Sequence, residues 1–106
     1  MRKLKITELK RLTTQQYKEH KKISLTVILD NVRSLHNVGA VFRSSDAFLV
    51  EKIYLCGITS TPPHNEIHKT ALGAEESVDW EFYENTNEAV LKLKDLGYTI
   101  LAIEQV

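Results

Sequence analysis

The stretch that decides the fold is DNVRSLHNVGAVFRSSDAF, residues 30–48. It follows the apolar run LTVILD (residues 25–30), crosses a polar loop, and enters a segment whose apolar residues recur with helical spacing from Val38 to Phe48. A continuous β-branched run is typical of a strand buried on both faces of a parallel sheet. Asn37 is a favoured N-cap residue and predicts that the helix begins there. The stretch therefore predicts a strand, a loop and a helix in succession.

The rest of the chain repeats this alternation of apolar runs and capped helical segments. One helix is expected from Asn65 to Leu72, before Gly73, and another from a capping box at Asn85 and Glu88. Alternation of this kind predicts an α/β fold, with a parallel sheet of about four strands and helices on both faces. The strands are expected near residues 24–30, 52–57, 77–82 and 98–103, and the third, which alternates apolar and charged residues, is expected at an edge of the sheet.

Charge divides the chain into two parts. Residues 1–22 carry eight Lys or Arg and two acidic residues, and they are predicted to form a basic arm of two short helical pieces. Residues 23–106 carry six basic and twelve acidic residues and are predicted to form one α/β domain or part of one. A basic arm on an acidic body indicates a polyanionic partner such as nucleic acid, although a solvated helical extension would have the same composition.

Composition excludes several classes of protein. No apolar run approaches the roughly 20 residues that span a bilayer, and the basic N-terminus lacks the apolar core of a secretory signal. The single cysteine, Cys56, excludes an internal disulfide and is expected to be a buried apolar residue. These features favour a reducing compartment, the cytoplasm.

A candidate site follows from the order of the predicted elements. Ligands of parallel sheets bind beyond the carboxyl ends of the strands, and helix N-termini there favour anions. Gly39 would allow close approach of a ligand, and the guanidiniums of Arg33 and Arg43 could bind a phosphate or a ribose–phosphate backbone. The alternatives are structural: Asn37 could only cap a helix, Gly39 could only permit close packing, and Arg43 could pair with an acidic residue, Asp46 or Asp30.

The sequence offers little for other chemistry. His64 and His68 are four residues apart and could share a helical face, but no cysteine pair or carboxylate–histidine motif accompanies them, so no metal site is expected. Neither a Ser–His–Asp order, a P-loop nor a GxGxxG fingerprint is present.

Two segments carry a resemblance to a known family. LDNVRSLHNVGAVFRSSDAF (residues 29–48) resembles the first signature of the SpoU-type RNA ribose 2′-O-methyltransferases, which belong to the SPOUT superfamily. KTALGAEESVDW (residues 69–80) is similar to the next segment of that family, and the resemblance extends from Ile23 to Val106.

The resemblance implies an S-adenosylmethionine-dependent enzyme that methylates a ribose 2′-hydroxyl in tRNA or rRNA. It implies a homodimer with a Rossmann-like N-terminal half and a C-terminal trefoil knot. It assigns Asn37 and Arg43 to the active site. A guanidinium is a poor proton acceptor, so Arg43 is expected to anchor a phosphate and to stabilise developing negative charge.

The remaining site residues are expected to bind RNA or the cofactor. Ile103 and Glu104 would border the cofactor pocket. The residues expected to contact RNA are Asn31, Arg33, His36, Gly39, Lys18, Lys21 and Lys22.

The chain departs from the family pattern in one respect. The family's second and third signatures are absent, so the sequence is expected to be an N-terminal fragment that lacks the knot, is inactive alone, binds no cofactor and associates through exposed apolar surface. Two other readings are a non-catalytic RNA-binding module and a small flavodoxin-like domain that binds a nucleotide or phosphate.

Overall fold

The computed structural model describes residues 22–103 as an α/β fold built on one three-stranded sheet. Its strands are β1 (Ile23–Asp30), β2 (Val50–Cys56) and β3 (Trp80–Tyr83). Its helices are α1 (Leu35–Ala47), α2 (Asn65–Ala71), α3 (Ala74–Ser77) and α4 (Thr86–Asp95). The predicted basic arm lies outside the described residues, except for Lys22.

The strands are parallel, with β2 between β1 and β3. Asp30 lies beside Cys56, and Cys56 lies beside Tyr83, so all three strands end at the same level. The expected edge position of β3 is confirmed. The register places the loops that follow the three strands side by side at the end of the sheet where the strands finish, which we call the carboxyl edge.

Apolar side chains cover both faces of the sheet, as predicted. One face packs against α1, α2 and α3 through a buried cluster that includes Leu29, Val38, Phe42, Ile53, Leu55 and Ile67. The other face packs against α4 through Tyr54, Cys56, Ala89 and Leu93. Alternate residues of β2 point to opposite faces, so this strand is buried on both sides.

The prediction of a fourth strand at residues 98–103 is wrong for the described part of the chain, where this segment forms no strand. Tyr98 and Ile100 pack on the α4 side of the sheet, but Leu101 and Ile103 are 85% and 97% exposed. An apolar run has the composition of a buried strand, yet a strand forms only where a neighbour completes its hydrogen-bond ladder.

The predicted start of the third strand also shifts. The third strand begins at Trp80 and not at Ser77, because Ala74–Ser77 forms the short α3 after Leu72 and Gly73 turn the chain with φ values of 52° and 94°. The predicted cap of α4 is confirmed, since the side chain of Asn85 accepts a hydrogen bond of 2.8 Å from the backbone N–H of Asn87. No described helix is long and apolar enough to cross a bilayer.

Candidate functional site

The carboxyl edge carries an open polar cavity of about 640 Å³. Its lining comes from the ends of β1 and β3 and from the first turn of α4 and comprises Asp30, Asn31, Glu84, Asn85, Thr86, Asn87 and Glu88. Asp30 is held in place, because its carboxylate accepts hydrogen bonds from Thr86 Oγ1 at 2.6 Å and from Asn31 Nδ2 at 3.1 Å. This half of the edge is therefore acidic.

The loop after β1 begins in a constrained conformation. Asn31 has a left-handed φ of 53°, and its Oδ1 accepts a 3.0 Å hydrogen bond from the backbone N–H of Ile58. A Cβ on Gly57 would collide with that same Oδ1 atom. The side chain of Asn31, expected to contact RNA, is thus engaged in joining the loops that follow β1 and β2.

The start of α1 differs from the sequence prediction. Ser34 is the N-cap, and its hydroxyl accepts a 3.1 Å hydrogen bond from the backbone N–H of Asn37. Serine and asparagine cap helices about equally well, so residue type alone could not separate the two positions. Asn37 therefore lies within the first turn, and its exposed side chain is free of the capping role.

Arg43 and Asn37 lie on different stripes of α1. At about 100° per residue, six residues place their side chains about 120° apart around the helix axis. His36 and Arg43, seven residues apart, share nearly one exposed stripe. Asn37 instead lines a mostly apolar groove of about 590 Å³ between α1 and β1, with Leu25, Val41 and Phe48 among its other residues.

Arg33 and Arg43 are exposed, and neither forms an ion pair with a described residue. The alternative pairing of Arg43 with Asp46 or Asp30 does not occur. Asp46 is partly buried, and burial raises the pKa of its carboxyl. The loop after β1 and the exposed surface of α1 therefore carry two guanidiniums that have no acidic partner among residues 22–103.

Gly39 has a packing role. It is buried where α1 crosses α2, and an added Cβ would collide with Thr70 Oγ1 and with the backbone oxygen of Ile67. The Thr70 hydroxyl also donates a 3.0 Å hydrogen bond to the backbone oxygen of His36, which fixes α2 against the first turn of α1. These contacts explain the glycine without a ligand, and contact of Gly39 with RNA stays a prediction.

The other expected site residues lie away from the carboxyl edge or outside the described residues. Lys22 precedes β1 at the opposite edge, where its ammonium lies 3.6 Å from Asp79 and its side chain is 14% exposed. Lys18, Lys21 and Glu104 lie outside the described residues. Ile103 is almost fully exposed and is enclosed by no described residue.

The paired histidines have structural partners. His64 caps α2, with its Nδ1 accepting a 3.1 Å hydrogen bond from the backbone N–H of Glu66. His68 Nδ1 lies 2.9 Å from Glu75 Oε2. Within residues 22–103, no group of three or more His, Cys, Asp or Glu side chains could hold a metal ion.

Sequence reasoning missed two residues at this edge, Thr59 and Thr86. The Thr59 side chain is buried and bonds to the ends of both β1 and β2, and the Thr86 hydroxyl donates to Asp30. Each threonine follows an apolar run by a few residues, but polar residues at such positions are common in loops and do not identify a site. Only the tertiary fold shows which hydroxyls converge.

Comparison with known proteins identifies the family. Residues 24–105 match the family model described as the SpoU rRNA Methylase family, and the chain belongs to this family.

Two curated relatives illustrate the match. The chain is 29% identical over 96 residues to a tRNA (guanosine(18)-2′-O)-methyltransferase of Thermus thermophilus, covering 91% of this chain and 48% of the relative. It is 32% identical over 83 residues to a 23S rRNA (guanosine-2′-O-)-methyltransferase of Nitrosomonas europaea, covering 74% of this chain and 30% of the relative. The chain thus spans less than half the length of either relative.

Solved structures agree on the fold. A TrmH/SpoU tRNA-modifying enzyme from A. aeolicus aligns with a TM-score of 0.62 and 25% identity, covering 86% of this chain and 45% of that one. An AdoMet-bound rRNA methyltransferase from Sinorhizobium meliloti aligns with a TM-score of 0.62 and 24% identity, covering 74% of this chain and 30% of that one.

Proposed function

We propose that this chain is the RNA-facing N-terminal portion of a ribose 2′-O-methyltransferase that acts on tRNA or rRNA with S-adenosylmethionine as the methyl donor. The observation that carries the proposal is the pair of guanidiniums, Arg33 and Arg43, in the loop and helix that follow β1, neither of which has an acidic partner among the described residues. Membership of the SpoU family supports the reaction, and the tRNA and rRNA methyltransferase activities of its relatives support RNA as the substrate.

The pattern of ion pairs favours these two arginines as the phosphate contacts. Four of the seven described basic side chains have acidic partners: Lys22 pairs with Asp79, Lys52 and Lys92 with Glu81, and Lys69 with Glu66. The other three, Arg33, Arg43 and Lys94, have no acidic partner within residues 22–103. A planar guanidinium binds two phosphate oxygens through two parallel N–H groups, whereas an ammonium acts as a point charge without that fixed geometry. The RNA backbone would therefore lie along the loop after β1 and the exposed surface of α1, away from the acidic cavity.

Arg43 and Asn37 would act at the target nucleotide. Arg43 would hold the phosphate beside the target ribose and stabilise the negative charge that develops on the 2′ oxygen as its proton passes to solvent water. A guanidinium remains protonated at physiological pH, so this role is electrostatic and requires no proton transfer to the arginine. Asn37 would offer the two N–H donors and the carbonyl acceptor of its amide from another stripe of the same helix.

The residues described here do not fit a complete cofactor site. S-adenosylmethionine, when bound, supplies the methyl group, but Ile103 is 97% exposed and Glu104 lies outside the described residues. An adenosine site needs walls that bury most of the ligand. We therefore place most of the cofactor pocket outside residues 22–103 and expect the 106-residue chain alone to bind the cofactor weakly and to be inactive.

The test compares RNA binding with methyl transfer in the full-length product of the gene. Arg43→Ala should reduce single-turnover methylation of a tRNA or rRNA transcript by about 100-fold or more, while RNA affinity falls by less than about tenfold. Arg43→Lys should recover little of the rate. Lys94→Ala, which removes an exposed and unpaired charge elsewhere, is the matched control and should change neither quantity.

A non-catalytic RNA-binding module is the second candidate, supported by the same two arginines. It predicts that Arg43→Ala and Arg33→Ala weaken RNA binding by similar factors and that no methyl group is transferred by any form of the protein. Equal losses of affinity and rate would make Arg43 a docking residue and would contradict its assignment to the reacting ribose.

Homodimer formation, which the family resemblance implies, is also part of the proposal. The groove between α1 and β1 exposes Leu25 and Phe48, with 50% and 64% of their surfaces accessible, and apolar surface of this kind favours association. Light scattering on the purified protein should show a dimer or a larger assembly, and a monomer at millimolar concentration would contradict this expectation.

A further inference from the structure

We propose that Thr59 is a positioning residue that fixes the backbone of the loop carrying Arg33 and thereby sets the arginine for phosphate binding. The hydrogen bonds of one buried hydroxyl show that the loop is fixed. The expected effect on RNA affinity rests on the proposed RNA-binding function. Thr59 lies in the loop after β2, outside the residues that the family resemblance singled out.

The Thr59 hydroxyl joins three backbone groups at the carboxyl edge. Its oxygen accepts a 2.9 Å hydrogen bond from the N–H of Val32. Its proton can go to the backbone oxygen of Cys56 at 2.8 Å or to that of Leu29 at 3.2 Å. The residue is 3% exposed, so water does not replace these bonds when the hydroxyl is removed.

The contacts fix the chain on the N-terminal side of Arg33. The N–H of Asn31 donates to the backbone oxygen of Cys56 at 3.1 Å, and the side chain of Asn31 accepts from Ile58 at 3.0 Å. The side chain of Val32 packs against the buried cluster shared with α1. Thr59 adds the bond to the amide of Val32, the residue directly before Arg33.

The chain is fixed on the other side as well, where Ser34 caps α1 through the N–H of Asn37. Arg33 is therefore an exposed residue between two fixed neighbours. A charged side chain whose backbone is already ordered loses less conformational entropy when it binds a ligand. Loss of the Thr59 hydroxyl would free Val32 and lower the affinity that Arg33 contributes.

The test uses Thr59→Val, which keeps the shape and removes the hydroxyl, and Thr59→Ser, which keeps the hydroxyl. The probe is a fluorescent single-stranded RNA oligonucleotide, and its affinity for the chain is measured by anisotropy at low salt. Thr59→Val should weaken binding by about fivefold, the effect of one lost hydrogen bond. Thr59→Ser should stay within about twofold of the wild type.

A double-mutant cycle separates positioning from a general loss of structure. In a chain that already carries Arg33→Ala, Thr59→Val should have almost no further effect on RNA affinity, because the residue it positions is gone. In a chain that carries Lys94→Ala, its effect should keep its full size. Equal effects of Thr59→Val in both backgrounds, or a loss with Thr59→Ser as large as with Thr59→Val, would overturn the proposal.

Amide hydrogen exchange of the same variants distinguishes this proposal from the proposed function. Thr59→Val should accelerate exchange at the Val32 amide at least about tenfold while leaving the Leu55 amide in the centre of β2 unchanged. If the wild-type chain binds no RNA, the proposed function fails, and the exchange rate at Val32 still decides whether Thr59 fixes the loop. Unchanged exchange at Val32 would overturn the positioning role whatever the RNA result.

Discussion

Arg33 and Arg43 are exposed, and neither has an acidic partner among the described residues. A side chain of that kind contributes little to the stability of the fold, because exposed charges are solvated equally well in the folded and unfolded chains. The function of such a residue lies in what it can contact outside the molecule. Arg43 differs in this respect from Lys52 and Lys92, whose ammonium groups are 3.2 and 3.3 Å from Glu81.

At this scale, Arg43→Ala should leave the free energy of unfolding within about 0.5 kcal/mol of the wild type. The measurement is urea unfolding followed by circular dichroism. Lys94→Ala, another exposed and unpaired cation, is the control and should behave alike. A loss of stability above about 2 kcal/mol for Arg43→Ala alone would show that the arginine supports the fold.

Cys56 gives a second residue-scale prediction. The thiol is buried at the end of β2, and burial raises its pKa, so at pH 8 it holds less of the reactive thiolate than an exposed cysteine would. Because the chain has one cysteine, a chromogenic disulfide reagent reports on it alone. We expect very slow reaction in the folded protein and rapid, stoichiometric reaction in denaturant; fast reaction in the native state would contradict the buried position.

The contact between α1 and α2 decides how the site-bearing helix is held. Gly39 allows the two helices to approach until an added Cβ would collide with Thr70 and with the backbone of Ile67. Gly39→Ala should therefore destabilise the protein by about 1–3 kcal/mol, although alanine favours helix formation by up to about 1 kcal/mol. Urea unfolding measures the change, and Ser44→Ala on an exposed part of the same helix is the control. A neutral or stabilising Gly39→Ala would mean that the helices can separate without cost.

The elements that the sequence predicted well are those whose local signals and burial agree. β1, β2 and α4 follow from β-branched runs and from the cap at Asn85, and the parallel order follows from their alternation. The first helix begins earlier than predicted because Ser34 and Asn37 are both good caps, and only the structure shows which one bonds. The prediction of a fourth strand is wrong because composition records hydrophobicity and contains no information about a pairing partner.

In the candidate site, too, local sequence predicted some features, and others depend on tertiary contacts. Residue type and position were enough to single out Arg33 and Arg43, because a strand end followed by a helix places Arg33 in the loop at the carboxyl edge and Arg43 on the helix that begins there. Whether each arginine is paired depends on side chains distant in sequence, and so does the convergence of Thr59 and Thr86 on β1. Gly39 illustrates the limit, since the sequence allowed both ligand approach and packing, and the contacts with α2 account for the glycine.

Charge asymmetry acts at the scale of the whole molecule. Residues 1–22 carry a net charge of +6 and residues 23–106 a net charge of −6. An RNA would therefore be attracted to residues 1–22, and also to Arg33 and Arg43 in the loop and helix that follow β1. We expect Lys18→Gln and Lys21→Gln each to reduce the logarithmic salt slope of RNA binding by somewhat less than one unit. Lys22→Gln should change that slope less and lower stability instead, because Lys22 is mostly buried beside Asp79. Equal slopes for all three variants would contradict this division.

The most direct test of the proposed function measures whether the full-length gene product methylates a ribose. The protein would be incubated with S-adenosylmethionine and tRNA or rRNA transcripts, and the RNA digested to nucleosides and analysed by mass spectrometry. We expect a single nucleoside with its added methyl group on the 2′ oxygen, no product when that ribose is 2′-deoxy, and strongly reduced product with Arg43→Ala. Methylation of a base, or RNA binding without any methyl transfer, would contradict the proposed function.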